Sequence, residues 1–363
     1  QTPGTLILEG PFATGPSGRP AFKAHNTATG QAVPAGAIRH SDGIVAPTTA
    51  PPESGLPAVV LPTACTGLRV DGRNVEIGPG VARINGVLEL PEHVTVTILP
   101  GTTLEMAPGA ALICAGDLDA LGTAAAPIVI QGSDPQAQWG ALAVLGRRDR
   151  RPRVRLHHVT VVGGAGSQNA RVHFTSALAL HGAVVEMRHC TISHGKGDDG
   201  VNLKYAAVDV RHSRFIGARD DAFDCDFCTG AIVDNTIEDP GGDGFDFSGS
   251  QIDATGNRVE RCGDKGFSVG EGTHALLRDS VVRHCTTGIA AKDRSRAVVR
   301  GATLEHLQVG IAQYLKKQTF GLGEVDLRDL KMKDVITPHL KDVQSAARKP
   351  GRCPDAEATR GAP

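Results

Sequence analysis

Apolar and polar residues alternate in short runs along the middle of the chain, and Gly or Pro interrupts them every few positions. The stretch "VTVTILPGTTLEMAPGAALICAG" at 94–116 holds three such runs. Alternation with a period of two is typical of β-strands with one buried face, whereas an amphipathic helix repeats every 3.6 residues. The pattern therefore predicts many short strands joined by tight turns.

The most regular feature is a repeat of 22 residues within 199–311. Its first position reads Asp199, Asp221, Asp243, Lys265, Thr287 and Val309, its second is always Gly or Ala, and its third reads Val201, Phe223, Phe245, Phe267, Ile289 and Ile311. A repeat of two helices would need more than about thirty residues. Three short strands and three bends fit this length, which predicts a parallel β-helix whose turns stack about 4.8 Å apart. The third position is predicted to fill the core.

The chain divides into three segments by residue composition and by its pattern of apolar and polar residues. Residues 1–67 are rich in Pro and Gly and predict an irregular N-terminal segment with one strand at "TLILE". Residues 68–330 predict the coil, and residues 331–363 a short C-terminal cap and tail. The charged stretch 324–351 is predicted to hold a strand and a short helix that cover the open edge of the last turn.

Composition narrows the class further. The 363 residues include 45 Gly and only 4% aromatic residues, which favours an all-β protein over a helical bundle. A net charge of -1 gives no general attraction for nucleic acid, so we expect no such partner. No apolar run is long enough to span a membrane. The eight irregularly spaced cysteines predict small core residues rather than a disulfide framework, and the oligomeric state is left open.

Alternation places polar side chains next to the apolar column on the outer face of the coil. The predicted outer patch contains Asp199, Asp221, Asp243 and Lys265, then Asn202, Asp224 and Asp246, then Lys204, Asp226 and Lys292. Stacked like charges repel and raise one another's pKa. Turn formation explains Asp at bends, but Asp224, Asp226 and Asp246 occupy mid-strand positions where Asp is disfavoured. A functional patch is therefore predicted.

Two chemistries suit such a patch. Glycoside hydrolysis needs a protonated and an ionised carboxyl group about 5 to 10 Å apart, and Asp221 with Asp243 is a candidate pair. Alternatively, Asn202, Asp224 and Asp246 offer the oxygen ligands that Ca²⁺ takes, with Lys265 as the base in β-elimination or C5-epimerisation of uronates. No cofactor is certain, and Ca²⁺ is the candidate.

Four motifs within 68–330 resemble known enzymes. Polygalacturonase-type glycoside hydrolases carry NTD, GDD, GHG and RIK on successive turns, and this chain has "RDDAFD", "GGDGFD", "DKGFSVGEG" and "AAKDR" in that order. The chain thus resembles the right-handed parallel β-helix proteins that hydrolyse, eliminate or epimerise polysaccharides. The resemblance implies catalytic roles for Asp221 and Asp243 and a substrate-binding role for Lys292.

The chain departs from this family at two positions. Gly242 stands where the first Asp of the catalytic dyad belongs, and Lys265 replaces the His. Asp246 or Asp224 would then have to supply the missing carboxyl group. The family's inverting mechanism is therefore not carried over whole, and elimination or epimerisation remains a competitor.

The predicted function is cleavage or modification of a polysaccharide, with hydrolysis first. The predicted catalytic residues are Asp221, Asp243, Asp246 and Lys265, and the predicted substrate-binding residues are Lys204, Asp224, Asp226, Glu271, Lys292, Arg294 and Lys316. A third alternative is a non-catalytic glycan-binding or surface scaffold protein. The chain begins at Gln1 rather than Met, as a trimmed chain does, and an extracellular or periplasmic location is expected for action on a polysaccharide.

Overall fold

The computed structural model describes residues 6–9, 23–26, 65–147, 149–169 and 172–342, and these ranges contain strands but no helix. No helix able to cross a membrane therefore occurs in the described part of the chain. The chain divides into two compact units, Gln1–Pro57 and Ala58–Pro363. In the first unit, Leu6–Glu9 pairs antiparallel with Lys23–Asn26, which confirms the strand predicted at "TLILE". The rest of the predicted irregular segment before residue 65 lies outside the described residues.

The second unit is a coil whose turns each contribute a strand to three ladders, here called A, B and C. Ladder A contains Leu68–Asp71, Asn74–Ile77, Thr95–Ile98, Leu118–Leu121, Arg153–His157, Val184–Arg188, Ala207–Arg211, Thr229–Val233, Gln251–Thr255, His274–Arg278, Arg296–Arg300 and Glu324–Arg328. Ladder B contains Gly80–Ile84, Thr102–Met106, Ile128–Gly132, Val159–Val162, Thr191–Ser193, Arg214–Ile216, Thr236–Glu238, Arg258–Glu260 and Val281–Arg283. Ladder C contains Val87–Leu90, Ala111–Cys114, Leu142–Leu145, Ser176–His181, Asp199–Lys204, Phe223–Asp226, Phe245–Ser248, Lys265–Gly270 and Thr287–Lys292. Two long strands, Thr303–Tyr314 and Lys331–Asp342, run through both B and C, and a short hairpin joins Ser167–Gln168 to His173–Phe174.

The register of ladder C follows the 22-residue repeat. Val201 pairs with Phe223, Phe223 with Phe245, and Phe245 with Phe267, all in parallel. These side chains are fully buried, and the rings of Phe245 and Phe267 stack with their centroids 5.1 Å apart. Burial of apolar surface contributes about 25 cal/mol per Å², so this column is a main source of stability. The predicted parallel β-helix and its inner apolar column are confirmed.

Buried polar side chains complete the hydrogen bonding at the bends. The Asn235 amide N–H donates to Oδ1 of Asn257 at 3.0 Å, and the Ser213 N–H donates to Oδ1 of Asn235 at 2.9 Å. The side-chain amides in turn donate to the carbonyls of Val210 and Ile232. Bends break the strand ladders, so these side chains supply partners that backbone groups would otherwise lack.

The C-terminal end differs from the prediction. The stretch 324–351 was predicted to combine a strand with a short helix. Glu324–Arg328 is a strand, as predicted, but Lys331–Asp342 is a second strand that adds a further turn to the coil beyond residue 330. Its Val335, Ile336 and Thr337 are β-branched and favour strand over helix, and Pro338 is tolerated because this is the last strand of the ladder. Residues 343–363 lie outside the described residues.

Candidate functional site

The outer face of ladder C is polar over only part of its length. Its central column reads, turn by turn, Ile113, Ala143, Ala179, Asn202, Asp224, Asp246, Ser268, Ala290 and Ala312. Phe174 of the short hairpin is fully buried and packs with Ala143 and Ala179, so it covers the apolar start of the column. The candidate site, here called the acid patch, consists of Asp199, Asn202, Asp221, Asp224, Asp243, Asp246 and Lys265.

Acids stacked at the bend before ladder C bind the backbone of the next turn. Oδ1 of Asp221 accepts the N–H of Asp243 at 2.6 Å, and Oδ1 of Asp243 accepts the N–H of Lys265 at 3.0 Å. A Cβ on Gly242 would lie 2.3 Å from Oδ1 of Asp220 and 2.4 Å from Oδ1 of Asp221. A side chain at position 242 therefore has no room while these two carboxyl groups keep their positions.

Lys265 is held as a cation at the centre of an ion-pair network. Its Nζ lies 3.0 and 3.3 Å from the two carboxylate oxygens of Asp243 and 2.6 Å from Oδ2 of Asp264. Burial disfavours the charge, but the carboxylates of Asp243 and Asp264 outweigh it and raise the pKa of Lys265 above its usual value. These ion pairs stabilise the protonated form of Lys265, which disfavours its predicted role as a base, and that role stays a prediction.

The pKa values of three buried acids of the patch are raised into or above the neutral range. Burial, with the nearby charge of Asp243, raises the pKa of Asp221 to about 8. Burial and Asp199 raise the pKa of Asp224 to about 9, and burial and Asp198 raise that of Asp199 to about 7. Carboxyl groups that stay protonated at neutral pH are able to act as acids in catalysis.

Asp246 faces a buried lysine. Nζ of Lys292 lies 3.6 Å from Oδ1 of Asp246, and the Lys292 side chain is only 2% exposed. Its stem crosses Gly270, where a Cβ would lie 2.5 Å from Cε of Lys292. Burial raises the pKa of Asp246, while the Lys292 charge opposes that rise. Among the described residues, Oδ1 of Asp246 and Oγ of Ser268 are buried without a hydrogen-bond partner.

The three central acids converge. One carboxylate oxygen each of Asp221, Asp243 and Asp246 lies within 4.8 Å of the other two. Both carboxylate oxygens of Asp243 contact Nζ of Lys265. Asp221 accepts a backbone N–H with Oδ1 only, and Asp246 faces Lys292 without a hydrogen bond. The arrangement brings Asp221, whose pKa is raised to about 8, beside Asp246, which has the ammonium group of Lys292 as a neighbour.

The residues predicted to bind Ca²⁺ do not form an open set of ligands. Oδ1 of Asn202 accepts a hydrogen bond from Nε2 of His181 at 2.8 Å, and its amide donates to Oδ2 of Asp224 at 2.5 Å. The acids that converge instead, Asp221, Asp243 and Asp246, share only Asp246 with the predicted set. The ammonium groups of Lys265 and Lys292 already balance the negative charge of Asp243 and Asp246. The converging acids therefore do not fit a resident calcium ion.

The predicted substrate-binding residues fall into two groups. Lys204 and Asp226 form an ion pair of 3.2 Å at the edge of the acid patch, each of them partly exposed. Glu271, Arg294 and Lys316 lie further along the coil, at the corner where loop 315–323 folds back.

The second group is held by contacts to that loop. Glu271 accepts a hydrogen bond from Ser248 and pairs with Lys317 at 2.5 Å. The N–H of Lys316 donates to Oδ1 of Asp293 at 2.7 Å, and the N–H of Arg294 donates to the carbonyl of Gly321. The side chains of Arg294 and Lys316 are exposed at this corner.

Sequence reasoning missed several contributors to the site. Asp199 was placed in the predicted outer patch without a role, and it is buried beside Asn202, whose side-chain amide donates to its Oδ2 at 3.3 Å. His181 pairs in register with Lys204, 23 residues later, so an irregular turn hides it from a strict 22-residue count. Asp264 lies next to Lys265 in sequence, and that adjacency was the available signal.

Comparison with known proteins agrees with the fold. Residues 176–321 match the family model described as "Right handed beta helix region", and this gives the hand of the coil. No curated protein matches the chain.

Several solved structures align with most of the chain at low identity. The catalytic domain of a GH87 α-1,3-glucanase variant in complex with tetrasaccharides aligns at 11% identity and a TM-score of 0.37, covering 77% of this chain and 63% of that one. The Agl-KA catalytic domain aligns at 12% identity and a TM-score of 0.41, covering 75% and 61%. An alginate lyase from a Paenibacillus species aligns at 11% identity and a TM-score of 0.26, covering 68% and 93%. The alignment thus spans about three fifths of the first two proteins.

Proposed function

We propose that this chain hydrolyses a glycosidic bond of a polysaccharide bound across the acid patch. Asp221 acts as the general acid, and Asp246 is the carboxylate that attacks the sugar or activates water. The observation that carries the proposal is the pairing of a carboxyl group whose pKa is raised to about 8 with a second carboxyl group within 4.8 Å that faces a lysine. Two carboxyl groups with opposite protonation states are what glycoside hydrolysis requires.

The proton is assigned to Asp221 from its contacts. Oδ1 of Asp221 accepts a backbone N–H and cannot donate to it, so the proton belongs on Oδ2, which is free to protonate the leaving oxygen. We assign the negative charge to Asp246 because Nζ of Lys292 lies 3.6 Å away and opposes the rise in pKa that burial causes. The two groups are close enough to titrate as a coupled pair, so one proton shared between them is the state that matters near neutral pH.

Asp243 and Lys265 act as positioning residues in this proposal. Both oxygens of Asp243 are engaged by Lys265, so Asp243 has no free oxygen for proton transfer but fixes the charge beside Asp221. That charge contributes to the raised pKa of Asp221. The assignment differs from the predicted Asp221 and Asp243 pair, since the second working carboxyl group becomes Asp246.

The distance between the acids bears on the stereochemistry. Inverting enzymes need carboxyl groups about 6.5 to 9.5 Å apart to admit a water, whereas retaining enzymes place them about 5 to 5.5 Å apart. One oxygen of Asp221 and one of Asp246 lie within 4.8 Å of each other, and we propose the arrangement with the closer spacing, in which Asp246 attacks directly and configuration is retained. A polymeric substrate also implies that the protein acts in an extracellular or periplasmic space.

The proposal is tested by product analysis on a panel of neutral and uronate polysaccharides. Wild type should release new reducing ends without unsaturated sugar, and both Asp221→Asn and Asp246→Asn should lower kcat by at least about a hundredfold. Asp253→Asn is the matched control, because Asp253 lies on ladder A and pairs with Arg278. Unsaturated products that depend on Lys265 would instead indicate a lyase, and glycan binding without any product would indicate a binding protein.

A further inference from the structure

Tyr205 and Phe227 form an exposed aromatic pair beside the acid patch. They occupy the same corner of the coil on successive turns, directly after Lys204 and Asp226. Their rings are stacked, with centroids 5.0 Å apart and planes 8° from parallel. Tyr205 is 63% exposed and Phe227 is 52% exposed, and the other aromatic side chains whose burial is described are buried or only partly exposed.

The backbone at this corner does not favour aromatic residues. Tyr205 and Phe227 have φ of 52° and 55°, in the left-handed region, and the turns on either side place Gly182 and Gly249 at the same corner. A side chain in this region costs about 1–2 kcal/mol per residue, and an aromatic pair returns about 0.5–1.5 kcal/mol. Stacked rings in this backbone conformation also occur in the coil at His158, His189 and His212. Tyr205 and Phe227 differ in being large apolar side chains left exposed, which favours a contact with a ligand.

The pair is continuous with the acid patch. Phe227 directly follows the strand Phe223–Asp226, in which Asp224 belongs to the acid patch. Between them lies the ion pair of Lys204 with Asp226, whose side chains are 37% and 27% exposed. Gly249 on the next turn leaves room for the Phe227 ring, because a Cβ at position 249 would lie 2.6 Å from that ring.

We propose that Tyr205 and Phe227 form an aromatic subsite that binds a sugar unit of the polysaccharide on the Lys204 and Asp226 side of the cleaved bond. This inference rests on the proposed function. A sugar ring presents an apolar C–H surface and a rim of hydroxyl groups, which matches an aromatic strip flanked by an ion pair able to donate and accept hydrogen bonds.

A sugar is a better occupant of this surface than a protein partner. Two aromatic side chains bury at most about 150–250 Å² each, whereas a specific protein interface needs more than about 1,000 Å². The neighbouring corner positions, Gly182 and Gly249, add no apolar side chain to enlarge the surface. The small area suits one sugar ring.

The test compares Tyr205→Ala, Phe227→Ala and Phe227→Tyr with wild type. Affinity electrophoresis measures binding to soluble polysaccharides, and steady-state kinetics compares the best polymer with its shortest cleaved oligosaccharide. Each Ala variant should bind the polymer more weakly and have a KM about tenfold higher, with kcat retained. Phe227→Tyr should keep the polymer affinity and KM of wild type. The shortest oligosaccharide, which does not reach the corner, should be unaffected. Val184→Ala is the control, because Val184 is an exposed apolar residue on ladder A.

The outcomes separate this inference from the proposed function. Normal KM and binding in both Ala variants, with cleavage intact, would overturn the aromatic subsite and leave the hydrolase standing. Binding that is lost in the Ala variants of a protein that cleaves nothing would support the subsite and overturn the catalysis. If an Ala variant fails to unfold cooperatively, Phe227→Leu supplies an apolar side chain without a ring, and unchanged binding in that variant would contradict the inference.

Discussion

Lys292 points its buried ammonium group at Asp246 across 3.6 Å, too far for a hydrogen bond. The carboxylate oxygen that it faces is buried and has no hydrogen-bond partner among the described residues. Buried polar groups are nearly always hydrogen-bonded, and exceptions concentrate at functional sites. In the proposed function, a hydroxyl group of the substrate would occupy the gap between Lys292 and Asp246.

Removing Lys292 should destabilise the protein. Lys292→Met leaves the carboxyl group of Asp246 buried without its cation, which costs about 3–5 kcal/mol when one partner of a buried pair is lost. The double variant with Asp246→Asn should recover part of that loss, because the uncompensated charge is gone. Urea denaturation of the single and double variants measures the effect. A loss of less than about 1 kcal/mol in Lys292→Met would show that the pair is not coupled.

Gly270 should be required for the position of Lys292. Gly270→Ala would place a Cβ 2.5 Å from Cε of Lys292, and the displaced stem should cost about 1–3 kcal/mol and lower kcat. Gly86→Ala is the control, since a Cβ there meets nothing within 4 Å. Equal unfolding free energies and equal kcat for the two variants would contradict the packing described for Lys292.

Stability should fall as pH rises through the neutral range. Burial and the charge of Asp199 raise the folded-state pKa of Asp224 to about 9, from an ordinary value of 3.8. Between these values the unfolded chain has lost a proton that the folded state keeps, so stability declines with rising pH and levels off above about 9. Asp224→Asn should flatten this slope. Urea denaturation from pH 5 to 9 tests it, and parallel slopes for variant and wild type would contradict the raised pKa.

The buried side chains of Asn235 and Asn257 should contribute to the stability of the bends. Asn257→Ala removes the acceptor of the Asn235 N–H and leaves that donor buried, which should cost about 1–3 kcal/mol. Gln251→Ala, an exposed position on the same turn, should change the unfolding free energy by less than about 0.5 kcal/mol. Thermal unfolding of both variants distinguishes the two. A near-neutral Asn257→Ala would mean that water replaces the side chain.

The repeat explains why the fold was readable from the sequence. In a coil, residues 22 apart are neighbours, so the column from Val201 to Ile311 follows from spacing alone. The C-terminal end was harder to predict because its many charged residues are typical of a surface helix. Residues Lys331–Asp342 form a strand because they pair with the previous turn of the coil.

The candidate site could be predicted only in part from the sequence. Spacing placed Asp221, Asp243 and Asp246 on neighbouring turns, but it does not say which oxygen binds a backbone N–H or which acid faces a lysine. The pairing of Lys292 with Asp246 requires the Lys292 stem to cross Gly270, a contact that depends on side-chain direction. Exposure of Tyr205 and Phe227 likewise depends on the backbone conformation at one corner.

The central claim is that Asp221 carries a proton at neutral pH beside Asp246. Carbon-13 NMR of protein labelled at the Asp carboxyl groups, titrated from pH 4 to 10, measures this without a substrate. Comparison with Asp221→Asn identifies the resonance that disappears. The account predicts that this resonance titrates with a pKa of about 8. A midpoint near 4 would mean that Asp221 is an ordinary ionised carboxylate, and the proposed general acid would be lost.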